Sequence, residues 1–201
     1  MTWKDVKLAV LQKMFSADGT TINENDESVR EYMNAMPQAA NEGLQLLCTA
    51  GKALRKCYEI PDKDAGVMTV DLTRELTDFY RADRLEVYGF DEAGTPCPVT
   101  GAQLVGGRFL VLPDGVQGKV LFYYDAWPPA ITLTTPDDEE IPLDPDAAVI
   151  LPLYIASQLY KDDDIAIATV YRNEFEVAFG LLKQPCSGVT SDEFTSVSGW
   201  I

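Results

Sequence analysis

The chain has 201 residues, 46% of them hydrophobic, which is enough for one large or two small packed domains and argues against disorder as the default. Its 32 acidic residues against 16 basic ones give a formal net charge of −16, so capture of a phosphate backbone or of anionic lipid by a basic surface is not its chemistry. It contains no histidine, which removes the commonest general base, every Ser-His or Cys-His nucleophile pair and the usual zinc sites.

Four cysteines, Cys48, Cys57, Cys97 and Cys186, stand at wide irregular spacings with no Cys-x-x-Cys pair, so neither a metal set nor a disulfide framework is indicated. Charged residues Lys4, Asp5, Lys7 and Lys13 interrupt the first fifteen positions, and no stretch is apolar for long enough to cross a bilayer. The expectation is a cytoplasmic, reduced product.

In chain order, Thr2-x-x-Asp5 reads as a capping box opening a helix with Trp3, Val6, Val10 and Met14 on one face, ended by Ser16 to Gly19. After the polar stretch 20–25, Asp26 caps a second helix carrying Val29, Tyr32, Met33 and Met36. Pro37 reads as the break before a third helix, striped by Ala40, Leu44, Leu47, Cys48 and Leu54 and stopped at Pro61 to Gly66. Gly43 and Gly51 weaken that helix and mark places where another helix comes close.

From Val67 the pattern changes to period two. Val67 to Leu72 and Arg84 to Phe90 read as strands joined by a short helical turn within Thr73 to Asp83. Ala102 to Val105, Arg108 to Leu112 and Lys119 to Tyr124 follow, separated by Gly-rich turns, and read as an antiparallel meander. The Pro- and acid-rich loop from Trp127 to Asp146 ends the sheet.

Asp144-Pro145 then starts a helix to Tyr160, kinked or shifted in its start by Pro152. Asp162 to Asp164 caps a last helix with Ala168, Tyr171, Phe175, Ala178, Phe179 and Leu182 on one face, closed by Pro185. The expected fold class is α+β: a helical bundle formed by the N- and C-terminal helices, with an inserted antiparallel β domain. Its parts are an N-terminal helical part (1–65), the β insert (66–144), a helical hairpin packing on the N-terminal helices (145–184) and an extended tail (185–201).

The candidate sites are few. Asp137-Asp-Glu-Glu140 could do acid–base work or hold a divalent cation, yet adjacent acids on a Pro-flanked loop are ordinarily a solvated bend. Asp162 to Asp164 lacks the acid and glycine that a calcium loop needs at its fifth and sixth positions, which are Ala166 and Ile167. Gly101 to Gly107 has no following Lys-Ser or Lys-Thr and reads as a hairpin rather than a phosphate cradle. No catalytic residue, metal site or cofactor is expected, and the chain reads as a non-enzyme. Partner contacts fall on Trp127, beside a double proline, and in the tail on Trp200, together with Phe194 and Ile201.

The order of helices, β insert, Tyr123-Tyr-x-x-Trp-Pro-Pro129, acidic bend, then Leu151-Pro-Leu-Tyr-Ile-Ala-Ser-Gln-Leu-Tyr160 and Tyr171-Arg-Asn-Glu-Phe175 resembles the head-tail connector (adaptor, or neck) proteins of tailed bacteriophages and prophages. The likeness runs from about Val29 to Leu182 and rests on layout and the helical-hairpin pattern. It implies a virion structural protein assembled in the bacterial host cytoplasm. Copies would form a homo-oligomeric ring on the portal and join it to the tail, with DNA passing unbound and no membrane involved. The alternative is a carbohydrate- or peptide-binding module, including a tail or baseplate component, using the meander and Trp127. A carboxylate-dependent hydrolase at Asp137 to Glu140 is the third reading.

Overall fold

A computed structural model describes residues 1–15, 21–22 and 26–182. The fold is α+β, and its buried side chains fall into two clusters, one contributed mainly by helices from both ends of the sequence and one by the strands between them.

Helix α1 (Trp3–Met14) opens with the capping box: the Asp5 amide donates to Thr2 Oγ1 at 3.2 Å and the Thr2 amide donates to Asp5 Oδ2 at 2.8 Å. These bonds, the backbone one first, hold the Asp5 carboxyl below its ordinary range. Helix α2 (Glu27–Leu47) starts at Asp26, whose carboxylate accepts from the Ser28 amide at 2.9 Å. It runs unbroken through Pro37, which corrects the expectation of two helices. Pro37 forfeits one backbone hydrogen bond, but it lies on the face that buries Met36, Ala39, Ala40, Gly43 and Leu44, and that packing outweighs the local preference.

A second correction follows directly. Instead of continuing to Pro61, the helix ends in a π turn (Cys48–Lys52), and strand β1 (Leu54–Lys63) begins. Leu54 lies seven residues beyond Leu47 and so fits a helical stripe, whereas Leu54, Tyr58 and Ile60 also satisfy a period of two. Antiparallel pairing of 54–60 with residues 120–126 decides between them. The strand-rich body therefore spans 54–126, not 66–144.

Strands β2 (Met68–Asp71), β3 (Phe79–Phe90), β4 (Pro96–Pro98), β5 (Gln103–Val105), β6 (Phe109–Leu112) and β7 (Gly118–Ala126) complete it, with a single helical turn α3 (Leu72–Glu75) after β2. They form two antiparallel sheets, β1-β7-β3-β4 and β2-β6-β5, rather than one meander. The β5–β6 hairpin is as expected, its turn made by Gly106 and Gly107, both at positive φ. Strand β3 begins five residues earlier than its alternation implied, and β4, a Pro-Cys-Pro tripeptide, carries no strand signal at all. Along β7, Val120, Phe122, Tyr124 and Ala126 point into the β core while Leu121, Tyr123 and Asp125 point away. Lys63 is 2% exposed, and its ammonium donates to the carbonyls of Asp64 (3.1 Å), Gly66 (2.6 Å) and Val116 (2.7 Å), tying the β1–β2 turn to the turn before β7.

Three helices follow: α4 (Pro145–Ala148), α5 (Leu151–Leu159) and α6 (Ile165–Leu182). Pro152 shifts a helix start, as its ring requires, by ending α4 and sitting in the first turn of α5. Helix α5 packs against α1, α2 and α6, so chain ends far apart in sequence share one core. At the α2–α5 crossing a Cβ on Gly43 would lie 2.7 Å from Leu151 Cδ1 and 2.9 Å from Tyr154 Cδ1. The close approach expected at Gly43 is thus observed.

Candidate partner-contact surface

Trp127 leaves the end of β7 half-buried. Its amide donates to the Asp78 carbonyl at 2.8 Å, and its ring lies 4.0 Å from that of Tyr80, with the Arg81 guanidinium 4.9 Å from the other ring centroid, Tyr80. One face of the indole is thereby covered by its own chain. Phe194, Trp200 and Ile201, with Cys186 and the rest of the expected tail, lie outside the described residues.

Around Trp127 the outward face of the larger sheet is a web of paired charges. Arg55 reaches Glu86 at 2.6 Å and Asp125 at 3.4 Å; Arg81 reaches Asp125 at 3.4 Å and Asp83 at 3.2 Å. Asp78 accepts from Lys56 at 2.6 Å and from the Tyr124 hydroxyl at 3.0 Å. Burial pushes the Asp78 carboxyl up, but those two hydrogen bonds outweigh it and leave it below the ordinary value. Burial, with the bond to Asp78, pushes the Tyr124 phenol up to about 12. On the smaller sheet Arg108 grips Asp71 with two hydrogen bonds, at 2.8 and 2.5 Å, and this contact holds the Asp71 carboxyl far below the carboxylate range.

The acidic bend works as a clamp on α1. The carbonyls of Glu139 and Asp137 accept from the Trp3 and Lys4 amides at 2.8 and 2.9 Å, satisfying donors that a helix start leaves open. The Asp137 carboxylate pairs with the largely buried Lys7, whereas the side chains of Asp138, Glu139 and Glu140 point to solvent without an ion pair. Leu133, just before the bend, is 68% exposed.

Helix α6 is unusual on both faces. Inward, Phe175 is 1% exposed and sits 5.1 Å from Tyr154 and 5.4 Å from Phe179, and the Tyr171 hydroxyl donates to the Lys13 carbonyl at 2.8 Å. Outward, Val170, Val177 and Leu181 share one side of the helix and are each more than half exposed, and Ile165 in the first turn is equally exposed on another side. An amphipathic surface helix would carry polar side chains there. Asp164 caps the helix as expected, accepting from the Ala166 and Ile167 amides at 2.9 and 3.1 Å, and Asp163 accepts from the Tyr32 hydroxyl.

Between α5 and α6 lies a shallow groove of about 250 Å³ with a largely apolar floor that includes Ile165 and Ala168, rimmed by Lys161 and Arg172. Arg172 is held by Glu176 at 2.8 Å and lies over the Tyr154 ring; Lys161 donates to Gln158. Sequence reasoning missed this groove, although one signal was available: between residues 120 and 182, Lys161 and Arg172 are the only basic residues. Among the described residues, no three His, Cys, Asp or Glu side chains are placed to hold a metal ion, and no helix is long and apolar enough to cross a membrane. No protein-family model matches this chain, and no curated protein matches it.

Proposed function

We propose that this chain is a non-enzymatic structural protein of tailed-phage or prophage particles, a head-tail connector that assembles in copies on the portal ring and joins it to the tail. The observation that supports it best is the outer side of α6, where Val170, Val177 and Leu181 meet solvent in a protein otherwise rich in exposed acid. Exposed apolar side chains grouped on one side of a helix are what an assembly interface would cover. The −16 charge is compatible with DNA passing without being gripped. Mass spectrometry and electron microscopy of particles carrying this chain test the reading: a few copies at the neck are expected, and its absence from particles, or a location away from the neck, would sink it.

A second reading has one observation in its favour. The Trp127–Tyr80 pair forms a half-open aromatic platform of the sort that stacks on a sugar ring or a peptide side chain. Glycan-array or peptide-array binding that disappears in Trp127→Ala would move the assignment to a binding module.

A further inference from the structure

We infer that the α5–α6 groove is the acceptor half of a head-to-tail contact between copies of this chain, and that the donor is the loop 133–140 of the next copy. This inference rests on the assembly reading above and names the surfaces that would carry it. Leu133 enters the groove over Ile165 and Ala168, and Asp138, Glu139 and Glu140 come to lie against the Lys161 and Arg172 rim.

Charge selects this occupant. Between residues 120 and 182 twelve acidic side chains stand against two basic ones, and those two meet at one apolar groove. A partner must therefore offer an exposed apolar side chain with unpaired carboxylates beside it. Among the described residues, the loop 133–140 offers both within eight positions: Leu133 stands free in solvent, and three carboxylates after it have no ion pair. Such a pairing sets the three carboxylates against Lys161 and against the Arg172 guanidinium that Glu176 already holds, whereas other approaches of two strongly acidic copies bring like charges together with no cation between them.

Geometry makes the contact intermolecular. The loop is fastened to the start of α1 through Trp3 and Lys4. Two groove residues, Lys161 and Arg172, follow directly in sequence on Tyr160 and Tyr171, whose hydroxyls donate to the carbonyls of Met14 and Lys13 at the other end of α1. Twelve helical residues separate the two ends by about 18 Å, so a chain cannot fill its own groove with its own loop. Donor and acceptor on different faces define a heterologous contact, which propagates from copy to copy and closes into a ring when the rotation permits.

Sedimentation velocity of the full chain at low and high salt tests it, with circular dichroism confirming the fold of each variant. The wild-type chain is expected to self-associate in low salt and to weaken as salt screens the rim. Leu133→Ser, Lys161→Glu and the pair Glu139→Lys with Glu140→Lys, all at exposed side chains, should each weaken association about tenfold. Placing Lys161→Glu and the two lysine substitutions in one chain should restore most of it, because the reversed charges again face each other across the contact.

A wild-type chain that stays monomeric, variants that associate like wild type, or a combined variant that is not rescued would each overturn this contact. If instead Lys161→Glu leaves self-association intact and abolishes capture by isolated portal rings, the groove belongs to the portal and the inference falls while the connector reading stands. Intact self-association with rescue, in a chain absent from particle necks, would do the reverse.

Discussion

The two buried clusters satisfy themselves to different degrees. In the strand-rich body, charges are largely matched: Arg55 with Glu86, Arg81 with Asp125, Lys56 with Asp78, Arg108 with Asp71 and Lys119 with Glu59. Its exposed apolar side chains, such as Val67 and Val105, are scattered near turns, as on any monomer surface. The helical body ends in α6, which exposes Val170, Val177 and Leu181 among Asn173 and Glu174, and carries carboxylates without an ion pair at 138–140. One body matches most of its charges within the chain, and the other leaves apolar side chains on α6 and the carboxylates of 138–140 facing solvent.

The largest effect should come from Phe175→Ala, which empties the space between Tyr154 and Phe179; we expect about 3–5 kcal/mol of destabilisation, read by urea denaturation. Hydrogen exchange should localise the loss to α5 and α6, and an equal loss of protection in β3 and β7 would show that the two bodies do not differ in the way argued. Gly43→Ala comes next. Its new Cβ would press on the Leu151 and Tyr154 side chains at the α2–α5 crossing, at a cost of about 1–3 kcal/mol, measured the same way.

In the strand-rich body the corresponding test is Lys63→Met, which leaves three buried-side carbonyls without their donor and should cost about 1–3 kcal/mol. Acid should act on the same body. Asp71 and Asp78 have folded-state values below their unfolded ones, so their contribution is fully present above about pH 4 and is lost as pH falls through the folded values. Urea midpoints at neutral and acid pH check this, and Asp71→Asn should reduce the difference between them. The smallest effect on folding is expected from Val177→Ser on the outer face of α6: within about 0.5 kcal/mol in urea. A large loss there would mean that the face is already occupied within the chain.

Much of this architecture was legible in the residues, for stated reasons. The capping box at Thr2, the cap at Asp164, the displaced start at Pro152 and the inward stripe of α6 each depend on neighbours within a turn or two, so local pattern was enough. Pro37 misled because its local penalty is outweighed by burial against residues more than a hundred positions away. Strand β1 was missed because Leu47 and Leu54 share a helical register, and the choice between periods is made by pairing with β7. Strand order in two sheets is set by long-range register and leaves no mark on any single segment. Of the candidate surface, Trp127 stands out in the residues by its place beside two prolines, whereas its neighbour Tyr80 is brought to it only through β3–β7 pairing.

The dependence of α1 and α2 on α5 also fixes an order of events at the ribosome. Helix α2 is complete at Leu47, but the surface it packs on is not made until Leu151 to Leu159, roughly a hundred residues later, or about 5–20 s of translation. The last strand ends at Ala126, so the sheets have every segment they need while the first two helices are still without their partner. A nascent chain halted shortly after Ala126 has left the exit tunnel should therefore resist protease in its middle and be cut near its beginning.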